Sequence, residues 1–151
     1  MILRGTISLL VAAMASVMVA AAAEQAAVVV EAPDSPVKIG KATVLTVAGD
    51  PPVVLYSATN QTSDDLEQFT VEVFIFDAKG FLKTQQIAPG RRTLEARTTK
   101  YSTIILDGGP VDPAGSIVIG VNGAQKVGSP DISWSAALRP TAEKAVPQKK
   151  P

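Results

Sequence analysis

The chain contains no histidine and no cysteine. Their absence excludes Ser-His-Asp and Cys-His catalysis, Cys/His zinc sites, haem held by either residue, and any disulfide. Aromatics make up only 5% of the residues, too few for a platform of rings under a sugar. Neither sign of charge dominates: 14 Lys+Arg stand against 14 Asp+Glu, so the basic surplus of a nucleic-acid binder is missing. What is present is 46% hydrophobic residues in a chain of 151, enough for one domain with a real core.

One long apolar run stands at the start. Arg4 supplies a positive charge, and Ile7 to Ala20 is apolar apart from Ser8 and Ser16. Ala21-Ala22-Ala23 follows, a small-residue pattern of the kind a signal peptidase cuts, with Glu24 next. Residues 1–23 are therefore expected to be a secretory signal peptide, cleaved between Ala23 and Glu24, and the product exported to the periplasm or secreted. A membrane anchor is the rival, since Gly5 to Ala23 is 19 uncharged residues and could span a bilayer. Its alanine content, its small residues at the end and the lack of a positive stop favour cleavage, which leaves no stable membrane span. The remaining chain carries 13 basic and 14 acidic residues. An exported protein without disulfides must draw its stability from packing.

From there the pattern is β. Residues 24–36 hold a valine run, Val28–Val30, which is expected as an edge strand stopped by Pro33 and Pro36. Strands are expected at Val37–Val47, Val53–Asn60, Phe69–Phe76, Phe81–Ile87, Thr98–Leu106, Ser116–Val121 and Ile132–Leu138, with Asn122-Gly123 read as a turn. Phe69, Val71, Val73 and Ile75 share one face of their strand. Thr70 and Glu72 begin the other face, which turns apolar at Phe74 and Phe76, so one end of this strand is expected to be covered on both sides. Asp77-Ala78-Lys79-Gly80 suits a tight turn and predicts a hairpin. About seven or eight short strands with turn signals between them predict an all-β antiparallel sandwich over residues 37–138. Residues 139–151, with three prolines and a net +3, are expected to be a disordered basic tail on an acidic domain.

Asn60 with Thr62, followed by Phe69-x-Val71-x-Val73-Phe74-x-Phe76-Asp77-x-x-Gly80, resembles FxLYD-type domains and related bacterial immunoglobulin-like modules. The resemblance covers roughly residues 53–106, with Phe76 where the family places tyrosine. It implies an immunoglobulin-like sandwich serving as an accessory or binding module in exported bacterial proteins. It carries no catalytic residues to transfer.

The candidate sites are few. Asp64, Asp65 and Glu67 could supply oxygens to Ca²⁺, although they lack the glycine and spacing of an EF-hand loop. Asp107 and Asp112 flank Gly108-Gly109-Pro110, where aspartate also serves by bonding local backbone N–H groups. Paired carboxylates could act as a glycoside hydrolase at a separation of roughly 5–9 Å, but no nucleophile and base accompany them and no Ser-x-x-Lys motif is present. Trp134, in phase with Ile132 and Ala136, is expected in the core; exposed, it would mark a ligand or partner contact. Tyr101 is expected to make a corner-type hydrogen bond. Arg91, Arg92, Arg97 and Lys100 form a local basic patch without interleaved aromatics, which reads as surface ion pairing and not as a nucleic-acid site. Together these features predict a non-enzymatic binding or structural module without a cofactor. Its partner is expected to be a protein, met along an edge strand (Val28–Val30 or Ile132–Leu138) or at the loops. A Ca²⁺- or carbohydrate-binding domain is the alternative.

Overall fold

The computed structural model describes residues 21–133 and 135–147. Most of residues 1–23, and Trp134, therefore lie outside the described residues. Nine strands and one helix follow in chain order: β1 (Ala23–Ala26), β2 (Val28–Val29), β3 (Val37–Thr46), β4 (Val53–Asn60), β5 (Leu66–Phe76), β6 (Leu82–Leu94), β7 (Thr99–Ile105), β8 (Ser116–Lys126), β9 (Ile132–Ser133) and α1 (Ser135–Ala145). They form two sheets. The first has the order β1-β3-β4-β7; the second has the order β2-β8-β5-β6, with β9 also on β8. All pairings are antiparallel except β2 with β8, which is parallel. The chain changes sheet between β1 and β2, β2 and β3, β4 and β5, β6 and β7, and β7 and β8.

Alternation builds the core between the sheets. Val54, Tyr56 and Ala58 of β4 point inward, as do Val71, Val73 and Ile75 of β5 and Ile117, Ile119 and Val121 of β8. Where the two-residue period fails, a bulge restores it. In β3 the register shifts between Ile39 and Ala42, so both face inward despite their odd spacing. In β5 it shifts between Leu66 and Thr70, which buries Leu66 and Phe69 together. That bulge explains why the strand starts three residues before the Phe69 that alternation alone marks.

Several expected boundaries are corrected. β6 runs through Pro89-Gly90 to Leu94, because it is the edge strand of its sheet and an edge strand has no second neighbour needing the proline's missing N–H. Gly90 is required where it stands: a Cβ there would collide with the ring of Phe69. Asn122-Gly123 is not a turn. It sits inside β8 at a register shift, with Asn122 Nδ2 donating to Thr70 Oγ1 at 3.1 Å, and β8 continues to Lys126. Glu72, expected on an open face, is buried at 1% exposure opposite Ile87 and Gly120.

The largest correction lies at the end of the chain. The expected strand over Ile132–Leu138 stops at Ser133, and the expected disordered tail begins inside α1. Ile132, Ala136 and Leu138 mimic a strand's alternation, but the residues that bury are Leu138, Ala142 and Val146, spaced four apart as on one face of a helix. Pro140 inside the helix hid that period. α1 packs on β8 and β5. Leu138, Ala142 and Val146 join Phe74, Phe76 and Val118 in a second apolar cluster on the outer face of the second sheet. The two-sided burial of β5 expected from Phe74 and Phe76 has its cause here.

Candidate functional site

Three regions hold the residues with chemistry to offer. The first is the β4–β5 loop. Asn60 ends β4 facing inward and is fully buried. Its Nδ2 donates to the carbonyls of Asp64 (2.8 Å) and Leu94 (3.0 Å), and its Oδ1 accepts from Thr62 N (2.9 Å) and Thr62 Oγ1 (2.8 Å). The Asn60-x-Thr62 signature is thus a clasp that ties its own loop to the end of β6. It is also too enclosed to act as a glycosylation acceptor in the folded chain. The carboxylates proposed for Ca²⁺ are spent on the same task. Asp64 Oδ2 pairs with Lys126 Nζ at 2.8 Å, and Asp65 Oδ1 accepts the backbone N–H of Ala96 at 2.8 Å. Among the described residues no group of three or more acidic side chains is placed to hold a metal ion, so Glu67 does not complete a site with Asp64 and Asp65. An open polar depression of about 690 Å³ lies beside Asp64, Asp65, Lys126 and Ser129.

Asp107 and Asp112 occupy separate turns. Asp112 Oδ1 accepts from Ala114 N at 2.9 Å and its carbonyl from Gly115 N, an aspartate turn. Asp107 offers its backbone N–H to Gln86 Oε1 at 3.0 Å. Gln86 Nε2 in turn donates to Ile105 O at 2.8 Å, and Arg91 Nη1 donates to Tyr101 O at 3.3 Å. Two side chains of β6 therefore occupy two carbonyls along the outer edge of β7, which removes part of what a passing strand would pair with. Asp77 does the same for the β5–β6 turn. Its Oδ1 accepts from Phe81 N and Lys79 N, both at 2.9 Å, and these bonds, that of Phe81 foremost, hold its carboxyl below the usual range. Glu95 is lowered by its pairing with Lys100, the ion pairing expected of the basic patch.

The third region is the outer face of the first sheet. Leu45, Val53 and Ile105 are register partners across β3, β4 and β7, and Thr43, Leu55 and Thr103 form the adjoining row. Tyr101 lies opposite Ser57 on the same face. Leu55, Ile105 and Tyr101 are 37%, 58% and 78% exposed. Tyr101, expected to turn a corner, instead has its ring in solvent, and its carbonyl accepts from Arg91. Alternation reveals this face only once the strand order is known, which is why residue-by-residue reading passed over Leu55 and Ile105. A shallow depression of about 280 Å³ beside them is lined by Glu24, Lys41, Thr43, Leu45, Leu55 and Tyr101. Behind it, Tyr56 is buried, and burial pushes its phenol up to about 12 against smaller opposing effects of Ser102 and Arg91.

The expected cleavage junction falls at the start of β1, where Ala23 pairs with Thr46 and Glu24 with Leu45. Among the described residues no helix is long and apolar enough to cross a membrane. No family model matches the chain, and neither a curated protein nor a solved structure matches it.

Proposed function

We propose that the chain is an exported, non-enzymatic binding module with an immunoglobulin-like sandwich, and that it recognises a protein partner in the cell envelope or outside the cell. The recognition surface is the outer face of the first sheet. One observation carries this: the two sheets treat their outer faces differently. The second sheet covers Phe74 and Phe76 with α1, whereas the first leaves Leu55, Ile105 and Tyr101 in solvent with no described element over them. An apolar stripe of that kind, with threonines and serines between and charges at its margin, has the make-up of a protein-binding surface. Export rests on the leader pattern of residues 1–23. The immunoglobulin-like reading is supported by β3, β4 and β7 lying in one sheet and β6, β5 and β8 in the other, with the chain crossing between them.

Affinity capture from an envelope extract tests the surface, with Ile105→Lys and Tyr101→Ser beside the unaltered protein. Both positions are exposed, so both variants should melt with the parent. A partner retained by the parent and reduced at least about tenfold by each variant is the expected result, in line with loss of an interface anchor. A partner retained equally by all three places recognition elsewhere, and an empty capture contradicts the reading.

A further inference from the structure

The geometry points to α1 as a releasable cover, a helix that leaves the second sheet while the two sheets remain packed on each other. Its own backbone contributes little to holding it. An isolated helix of 11 residues is marginal in water even when rich in alanine. Pro140, the sixth residue of α1, withholds the N–H that would bond the carbonyl four residues back. Thr141 Oγ1 donates to the carbonyl of Ala137 at 2.8 Å, a back-bond that competes with the helical ladder. The first turn has no acidic residue to meet the helix dipole, and the Arg139–Glu143 pair at 3.1 Å is exposed. The helix keeps its shape because it is docked.

Among the described residues, docking in turn rests on few side chains. Leu138, Ala142 and Val146 are buried, while Ala137, Arg139, Pro140, Thr141, Glu143, Lys144 and Ala145 are exposed. One of these anchors, Ala142, is small, and Val146 lies just past the last residue of α1. Leu138 fits because position 120 is glycine: a Cβ there would come within 2.8 Å of Leu138 Cδ2. The cluster beneath, with Phe74, Phe76 and Val118, is separate from the core between the sheets, and that core contains no residue of α1. Undocking therefore gives up the outer cluster and leaves the inner one whole. Segments with few apolar anchors open locally before the molecule unfolds. Opening of α1 decides whether Phe74, Phe76 and Val118 meet solvent.

Hydrogen exchange on the full chain, read by mass spectrometry, tests this. The amides of Leu138, Arg139 and Thr141 to Ala145 are expected to exchange at least about 100-fold faster than those of Val71 to Ile75 in β5. Leu138→Ala should speed exchange in α1 about tenfold further and leave β5 unchanged. Pro140→Ala, which restores the missing donor, should slow it by a similar factor. A common rate for α1 and β5 would overturn the inference. So would loss of β5 protection in Leu138→Ala, or an α1 rate that neither variant moves.

Discussion

Asn60 shows how much one side chain can organise. Its amide satisfies two carbonyls and accepts two donors from a position with no access to water. Asn60→Ala leaves those groups buried and unpaired, at a cost of about 2–3 kcal/mol. Asn60→Asp should fare no better, because a carboxylate cannot donate to the carbonyls of Asp64 and Leu94. Urea unfolding checks both, and a loss below about 0.5 kcal/mol would show that the clasp is dispensable. Tyr56 makes a second prediction. Its phenol is pushed up to about 12, against roughly 10 in an unfolded chain. The contribution of this proton is therefore fully present below pH 10 and is lost as pH rises from 10 towards 12, by up to about 1.4 kcal/mol per pH unit. Tyr56→Phe lacks that component. The urea midpoint of the parent should fall relative to that of Tyr56→Phe across this window, whereas parallel decline would mean that Tyr56 ionises as freely folded as unfolded.

At the level of elements, strands were legible where period and solvent side agree, and β4 was found to the residue because its alternation is unbroken from Val53 to Asn60. Bulges and a second covering layer were less legible. The start of β5 and the continuation of β8 past Val121 are displaced by register shifts, which need the partner strand to define them. α1 was missed because a proline interrupts it and because alanine fits either period. The candidate site was legible only in part. Asp65 and Asp112 proved to be loop and turn ligands for backbone and Asp64 the partner of Lys126, whereas the exposed stripe becomes visible only when β3, β4 and β7 are laid side by side. The passage of β6 through Pro89-Gly90 depends on the space that Gly90 leaves for Phe69. Gly90→Ala should cost about 1–3 kcal/mol by overpacking, and Phe69→Leu in the same chain should recover part of it. Denaturant midpoints of the single and double variants measure this, and an undisturbed Gly90→Ala would mean that the ring has room to yield.

On the scale of the whole molecule, two sheets share one core but face the outside differently. The second sheet is covered over Phe74, Phe76 and Val118 by α1 and by the chain through Val30 and Ala32, while Ile87 of β6 stays 54% exposed beyond that cover. The first sheet has two carbonyls of its β7 edge occupied by Gln86 and Arg91, and it is open across its face. This arrangement disfavours strand addition at β7 relative to contact by the face, since two of the carbonyls that a new strand would use there are already bonded. Its most direct test is covalent surface labelling of the free protein by hydroxyl radicals, read residue by residue. Tyr101, Ile105 and Leu55 should label strongly, and Phe74, Phe76 and Tyr56 should be protected. Labelling of Phe74 and Phe76 as readily as Tyr101 would contradict the two-faced sandwich.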